Sequence, residues 1–212
     1  MQLYGRKSSI NVQKVLWCLG ELGLAEGVDY RRIDAGLQFG VNDTREYLAL
    51  NPNGLVPTLV DGERVIWESN TILRYLVAAH GAHTLLPVDP AERSEIERWM
   101  DWQLGTLWPT LRVAFLGLTR TPEPRRDYGA IRASFADAAR LLRIVDERLQ
   151  TQNYLALQRF TLADIGVALA AHRWYGLNDR CRASLASQPD MPALARWLDD
   201  QRARAAFPDK QD

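Results

Sequence analysis

Residues 50–79 constrain the fold of this chain more than any other segment, because turn, strand and helix signals follow one another within thirty residues. The segment opens with residues 51–54, Asn-Pro-Asn-Gly, and proline presets φ while Asn and Gly tolerate positive φ. The β-rich run 55–60 follows and contains Pro57. A proline removes a ladder donor, so this one belongs at a strand start, an edge or a bulge.

The remainder of the segment predicts a hairpin and a helix. Asp61-Gly62 lies between apolar flanks, which is a strong hairpin signal. Residues 65–67 form the predicted return strand, and Glu68 and Ser69 then open a helix. The apolar residues of that helix recur at helical spacing at Ile72, Leu73, Leu76 and Val77.

This segment resembles the glutathione-binding half of the glutathione S-transferases. The family pattern NPxGxVPxLxDG…xES is present at Asn51, Pro52, Gly54, Val56, Pro57, Leu59, Asp61, Gly62, Glu68 and Ser69. The resemblance implies an α/β plus all-α chain, with an N-terminal thioredoxin-like domain followed by an all-helical domain. It also implies an enzyme that activates the thiol of glutathione, its co-substrate, for attack on a small hydrophobic electrophile. A homodimer and a role in detoxification are expected on the same basis.

Composition excludes several other classes of protein. The 212 residues are 47% apolar, enough for one or two cores, and a net charge of zero gives no electrostatic reason to bind nucleic acid or a membrane surface. No apolar run reaches membrane-spanning length, and the N-terminus becomes charged too early for a signal peptide. Cys18 and Cys181 form no CxxC pair, and the histidines have no metal-ligand spacing. We therefore expect a cytoplasmic protein without a bound metal.

The pattern along the chain predicts two domains joined by a linker. Residues 1–79 form the predicted thioredoxin-like domain, with the order βαβ–α–ββα. Its first elements are expected at residues 2–4, 10–23, 30–33 and 44–50, with Gly23 ending the first long helix. Residues 80–88 are polar and punctuated by Gly and Pro, as expected of a linker.

Residues 89–212 form the predicted helical domain, which lines the electrophile site in this family. Apolar periodicity predicts helices over residues 91–118, 128–149, 161–171 and 192–204. Residues 121–124, with two prolines, separate the first two of these helices. Thr161 and Asp164 have the spacing of a capping box, which we interpret as a folding element.

The thiol activator is expected at the start of the first helix. In serine-type relatives the active serine lies six residues before an apolar helix position, and counting back from Val15 gives Ser9. Asn11 is the predicted second donor, because the stretch S-x-N-x-x-K-V resembles relatives that pair a Ser or Thr with an Asn two residues later. Ser8 is the alternative donor and Tyr4 the other nearby hydroxyl. Helix capping by these residues is the simpler interpretation.

The same resemblance predicts the contacts to the rest of glutathione. Val56 precedes a proline expected to be cis, and its backbone would pair with the cysteinyl main chain as an added strand does. Glu68 would bind the γ-glutamyl ammonium group. Ser69, with its N–H at a helix N-terminus, would bind the carboxylate.

The glycine carboxylate of glutathione has a less obvious partner. Many relatives carry a Lys, His or Arg in or just before this loop, whereas the chain has Leu55 next to Val56. Leu55 and Gln38 are both predicted to contact glutathione. Asn42 and Arg45, in the same upstream region as Gln38, are further candidates for binding the glycine carboxylate.

The electrophile site is expected on the first long helix of the second domain. Its candidate residues are Trp102, Trp108, Arg112 and Phe115, although aromatic side chains at helical spacing are more often core. Trp99 and Met100 are expected to pack inside.

Two other functions are compatible with the sequence. The Ser-x-Asn pattern also fits glutathione-dependent reduction of disulfides or peroxides. A non-catalytic binding or scaffold protein would keep the fold but lose the thiol-site donors, and the base missing at Leu55 keeps this alternative open. A catalytic cysteine is disfavoured, because residues 8–11 contain none and Cys18 lies about two turns further along the helix.

Overall fold

A computed structural model describes residues 1–181, 185 and 188–208. Their contacts divide the chain into two units, which are taken separately below. The first comprises Met1–Leu86 together with the segment from Arg204 onward, and the second comprises Pro87–Ala203. The domain limits expected from the sequence stay a prediction.

A four-stranded mixed sheet organises the described part of the first unit. Its order is β2-β1-β3-β4, with β1 and β2 parallel and the other two pairs antiparallel. The strands are β1 (Gln2–Tyr4), β2 (Arg31–Ile33), β3 (Thr58–Asp61) and β4 (Arg64–Trp67). The helices are α1 (Ile10–Glu21), α2 (Arg45–Leu50) and α3 (Ser69–Ala79), with a 3-10 turn at Leu37–Phe39. The α/β half of the predicted fold class is confirmed.

The register of the sheet brings four chain segments together at one end of the strands. Tyr4 lies opposite both Ile33 and Thr58, and Thr58 lies opposite Trp67. The segments that follow Tyr4, Ile33 and Trp67 therefore leave the sheet at the same end at which residues 55–57 enter it. Those four segments carry every glutathione-site residue predicted from the sequence.

Local chemistry explains where α1 ends and β3 begins. Gly23 has φ of +73°, and the N–H of Leu24 donates to the carbonyl of Leu19 at 2.9 Å, closing the helix end as predicted. The strand expected from residue 55 begins only at Thr58. Pro57 has no N–H for the ladder, so pairing starts immediately after it.

The regular secondary structure of the second unit is helical in its described residues, as expected. Its helices are α4 (Pro90–Trp102), α5 (Trp108–Thr119), α6 (Tyr128–Leu149), α7 (Leu162–Cys181) and α8 (Pro192–Arg202). The prediction of α6 was correct at both ends, whereas α7 continues ten residues beyond the predicted Ala171. None of the described helices is both long enough and apolar enough to cross a bilayer.

The single helix predicted over residues 91–118 is wrong in one respect. A π-helical turn, Gln103–Leu107, separates α4 from α5. Pro109 has no N–H to donate to the carbonyl four residues earlier, so regular α-helical bonding is interrupted there.

The predicted capping box is present at the start of α7. The carboxylate of Asp164 accepts the N–H of Thr161 at 2.9 Å, and the Thr161 hydroxyl accepts the N–H of Ala163 at 3.3 Å. Asp164 also accepts the N–H of Leu155 at 3.2 Å, which ties the preceding loop to the helix. Its role is structural, as expected.

Candidate active site

Ser9 is the N-cap residue of α1, but its side chain does not cap the helix. Its backbone is extended, with φ of −81° and ψ of 125°, and its carbonyl accepts the N–H of Gln13 at 2.9 Å. The hydroxyl makes no hydrogen bond to the described part of the chain, although the residue is only 8% exposed. The simpler interpretation, a capping serine, therefore does not hold for this side chain.

Asn11 lies on the first turn of the same helix. Its Oδ1 is buried and has no hydrogen-bond partner among the described residues. Burying a polar atom without a partner costs about 1–3 kcal/mol, so such an atom calls for an explanation. A ligand group at this end of α1 would supply one.

The two alternative hydroxyls are placed differently. The Tyr4 hydroxyl donates to Oε1 of Gln2 at 3.2 Å, and its ring meets the ring of Tyr47 edge-on at 5.6 Å. Ser8 is half-buried and has an interaction of its own. Of these hydroxyls, that of Ser9 is the one left without a partner in the described chain.

The turn at Val56-Pro57 carries the second predicted contact. The peptide bond between the two residues is cis, as expected. The backbone of Val56 makes no hydrogen bond within the described residues, so its N–H and C=O are available to an extended ligand. A side chain at Gly5 would overlap Val12 of α1 and lie 3.4 Å from Cβ of Val56. Glycine at this position thus allows the turn to approach α1.

A buried network that the sequence analysis missed holds this turn. The hydroxyl of Tyr47 on α2 donates to the carbonyl of Leu55 at 2.5 Å and lies 2.8 Å from Oγ1 of Thr58. Nδ2 of Asn51 donates to the same two acceptors, at 3.0 Å each. The apolar periodicity of α2 gave no signal of this role, because only the folded chain shows which groups the Tyr47 hydroxyl contacts.

Glu68 and Ser69 form the start of α3. Glu68 is the N-cap residue with φ of +69°, a conformation that costs a non-glycine residue about 1–3 kcal/mol and is common at ligand sites. Oγ of Ser69 is buried without a partner in the described chain, while the Glu68 side chain is exposed. The helix N-terminus and an unpartnered hydroxyl form a cradle suited to a carboxylate.

The residues predicted near the glycine carboxylate lie in three places: the loop before α2, the first turn of α2 and the position before Val56. Gln38 is exposed on the 3-10 turn, and Arg45 is exposed at the first position of α2. Asn42 is already used, since its Nδ2 donates to the carbonyl of Gly54 at 2.7 Å. The side chain of Leu55 is 64% exposed, and its carbonyl belongs to the Tyr47 network.

The electrophile-site candidates divide into two groups within the second unit. The rings of Trp108 and Phe115 lie 5.5 Å apart, and the guanidinium of Arg173 stands 5.5 Å and 4.7 Å above them. Trp102 instead meets Trp99 edge-on at 5.4 Å. Arg112 is exposed. Arg173 was missed, because it lies on α7, 65 residues from Trp108 in sequence.

No group of three or more potential metal-ligating His, Cys, Asp or Glu side chains occurs within the described ranges. Cys18 is fully buried in α1, and burial, followed by the nearby Glu21, raises the pKa of its thiol to about 12. A group that stays protonated to such high pH is a poor nucleophile.

Comparison with known proteins identifies the family. The family model described as glutathione S-transferase, N-terminal domain, matches residues 3–84, and the one described as the C-terminal domain matches residues 108–205. The chain is 39% identical over 206 residues to the Escherichia coli (strain K12) glutathione S-transferase GstB, covering 96% of this chain and 94% of the relative. It is 30% identical over 211 residues to glutathione S-transferase 3 of Zea mays, covering 98% and 91%.

A solved structure agrees with these relatives in fold. The theta class glutathione S-transferase from Xanthomonas axonopodis pv. citri, with glutathione bound, superimposes with a TM-score of 0.88 at 42% identity. The match covers 97% of this chain and 94% of that one. On sequence and on structure, the chain belongs to the glutathione S-transferase family.

Proposed function

We propose that this glutathione S-transferase stabilises the thiolate of bound glutathione with the hydroxyl of Ser9 and transfers the tripeptide to a small hydrophobic electrophile. The observation that carries the assignment is the Ser9 side chain: buried, at the N-terminus of α1, and without a hydrogen bond in the described chain. A residue suited to capping that does not cap is free to donate to a ligand. Asn11, with its unpartnered Oδ1, is the second polar group at this point.

The physical basis of thiol activation is charge stabilisation. A free thiol titrates near pH 8.5, so only a small fraction is thiolate at neutral pH. A hydroxyl that donates to the sulfur anion stabilises it without itself ionising, and the positive end of the α1 dipole acts in the same direction. The thiolate then attacks the electrophilic carbon, a carbon–sulfur bond forms, and the leaving group departs with the electron pair of the bond that breaks.

The other contacts orient the tripeptide for this step. The free N–H and C=O of Val56 would pair with the cysteinyl main chain, beside Pro57. Ser69 and the N-terminus of α3 would hold the γ-glutamyl carboxylate, and the exposed carboxylate of Glu68 its ammonium group. Gln38 and Arg45 are proposed for the glycine carboxylate, and Leu55 for contact through its exposed side chain.

The electrophile is proposed to bind at the aromatic side chains of the second unit. Trp108 and Phe115 offer adjacent half-buried ring faces, and Trp102 and Arg112 complete the set. Apolar faces of this kind favour small hydrophobic electrophiles with an aromatic group. We also expect a homodimer, a cytoplasmic location and a role in detoxification, as the family resemblance implies.

The alternatives receive less support. Glutathione-dependent reduction of disulfides or peroxides would use the same Ser9 and Asn11 pair, and the relatives named glutathione S-transferases favour transfer over it. A catalytic cysteine on α1 is disfavoured separately, because Cys18 is fully buried and burial raises the pKa of its thiol to about 12. A scaffold protein would have no reason to keep Oδ1 of Asn11 and Oγ of Ser69 buried without partners in the described chain.

A titration of bound glutathione tests the proposal. The thiolate is followed by its ultraviolet absorbance in complexes with wild type, Ser9→Ala and Ser8→Ala, and conjugation to 1-chloro-2,4-dinitrobenzene is measured in parallel. The thiol pKa should lie below the free value in wild type and Ser8→Ala and return towards it in Ser9→Ala. Conjugation by Ser9→Ala should fall about 100-fold, the usual effect of removing one anion-stabilising donor.

Two results would count against the proposal in different ways. An unchanged thiol pKa in Ser9→Ala would move the donor to Asn11, Ser8 or Tyr4. Failure of wild type to bind glutathione at millimolar concentration would overturn the transferase function itself.

A further inference from the structure

Lys14 is a buried ionisable side chain that has no role in the proposed mechanism. It lies on α1 and is 0% exposed. Its Nζ lies 3.4 Å from Oδ1 of Asn70, a long hydrogen bond that joins α1 to α3 across 56 residues of sequence. No carboxylate of the described chain comes within ion-pair distance of Nζ, although Glu68 is near enough to act on it electrostatically.

A fully buried lysine without an ion-pair partner lowers the stability of the folded chain. Lysine is almost never fully buried unless it is paired, and an apolar side chain of similar length is often neutral or stabilising in its place. Burial lowers the pKa of Lys14 to about 7, and the negative charge of Glu68 only partly opposes this. Within the described chain alone, then, the ammonium group lacks an adequate partner.

The position of Lys14 suggests what the missing partner is. Among the described residues its hydrogen-bond acceptor is Asn70, which is the second residue of α3 and follows Ser69 directly. Oγ of Ser69 is buried and unpartnered, and Glu68 holds a positive φ to start the helix at this point. Lys14 thus lies beneath the turn that is proposed to receive the γ-glutamyl end of glutathione.

We propose that Lys14 is a positioning residue for the γ-glutamyl carboxylate: through Asn70 it holds the first turn of α3, and its charge beneath that turn favours the incoming anion. The inference rests on the proposed glutathione site.

Charge balance supports this assignment. The γ-glutamyl end brings one carboxylate and one ammonium group. Glu68 accounts for the ammonium, and the carboxylate at the N-terminus of α3 becomes the negative charge that Lys14 otherwise lacks. In a partly buried site such an interaction is much stronger than in water.

A ligand that lacks only the carboxylate isolates this interaction. Glutathione and 4-aminobutyryl-cysteinyl-glycine, which keeps the ammonium and the thiol but lacks the α-carboxylate, are titrated calorimetrically into wild type and Lys14→Met. Cys18→Ala serves as the matched control, since it alters another buried α1 residue one turn further along the helix. Lys14→Met should bind glutathione at least about tenfold more weakly, while its affinity for the analogue stays within about threefold of wild type. The control should match wild type with both ligands.

Each other outcome counts against a stated part of the argument. Equal weakening for both ligands, or no weakening for either, would overturn the role of Lys14 while leaving the transferase function intact. A wild-type protein that binds neither ligand would overturn the proposed function and this inference with it.

A second variant, Asn70→Ala, tests the same contact if Lys14→Met fails to fold. Asn70→Ala removes the contact through which Lys14 acts and should show the same carboxylate-specific weakening. If Asn70→Ala binds both ligands as wild type does, Lys14 does not act through Asn70 and the inference is wrong.

Discussion

The hydroxyl of Tyr47 donates a 2.5 Å hydrogen bond to the carbonyl of Leu55, the residue just before the Val56-Pro57 turn. Both groups belong to a buried network that also includes Asn51 and Thr58. The turn proposed to bind the cysteinyl main chain is therefore held by the Tyr47 side chain, for which no contact to glutathione is predicted.

Tyr47→Phe should loosen this turn. Removing a buried hydroxyl leaves two acceptors with fewer donors, so we expect a loss of about 1–2 kcal/mol in the free energy of unfolding. The KM for glutathione should rise about threefold or more with little change in kcat, because binding geometry is affected before chemistry. Steady-state kinetics with varied glutathione measure this. Tyr75→Phe, which removes a 2.6 Å bond to Asp61, is the control: it should lower stability but leave KM unchanged. Equal effects on KM would show that Tyr47 has no specific link to the site.

Lys14→Met should change how stability depends on pH. The pKa of Lys14 falls from 10.5 in the unfolded chain to about 7 in the folded protein, so between these values the folded protein binds fewer protons. The stability of wild type therefore rises with pH across this window because of Lys14, with a limiting slope of about 1.4 kcal/mol per pH unit. Lys14→Met should be the more stable protein near pH 7, and its advantage should shrink as the pH rises. Urea unfolding of both proteins at several pH values tests this, and a constant difference would contradict it.

Arg204→Gln should destabilise the first unit. Arg204 donates from Nε and Nη2 to the two oxygens of Glu21 at 2.7 Å each, and Nε1 of Trp17 donates to the same carboxylate at 2.9 Å. Burial alone would raise the pKa of Glu21, but the hydrogen bonds from Arg204 and Trp17 outweigh it and lower the pKa. We expect a loss of about 2 kcal/mol at neutral pH.

Acidification and a control variant sharpen this prediction. Since the pKa of Glu21 is lowered on folding, the stability it contributes is present at neutral pH and is lost as the pH falls through the folded-state pKa. The deficit of Arg204→Gln should therefore shrink in acid. Arg140→Gln breaks a well-exposed pair with Asp137 and should change stability by less than about 0.5 kcal/mol. Similar losses for the two variants in chemical unfolding would contradict the assignment.

Gln103→Met should stabilise the second unit. Gln103 is fully buried in the π-helical turn, packs against Gly166, and neither Oε1 nor Nε2 has a partner in the described chain. Methionine keeps the length and flexibility of the side chain and removes both unsatisfied atoms, for an expected gain of about 1–3 kcal/mol. Thermal unfolding measures this. Gln150→Met, whose amide does bond to Asp146, should give no gain. A destabilised Gln103→Met would indicate that an internal water satisfies the amide.

The sequence alone determined those features that depend on neighbours in the chain. The Asp61-Gly62 hairpin formed as expected, with Gly62 at φ of +58°, because a tight turn needs a residue that tolerates this conformation. The 3.6-residue periodicity located α6 at both ends, and the spacing of Thr161 and Asp164 located a capping box. The motif of residues 51–69 was sufficient to predict the family.

The tertiary structure alone decided which distant side chains meet. Lys14 and Asn70 are 56 residues apart in the sequence, and Glu21 and Arg204 are 183 apart. The periodicity of a helix does not predict such pairs, because it depends only on neighbouring residues. The sequence predicted Ser9 as the thiol donor but left capping open as the simpler interpretation, and only the folded geometry leaves its hydroxyl unpartnered in the described chain. A local pattern records the face a residue presents, whereas its burial, its hydrogen-bond partners and its pKa depend on what the rest of the chain packs against that face.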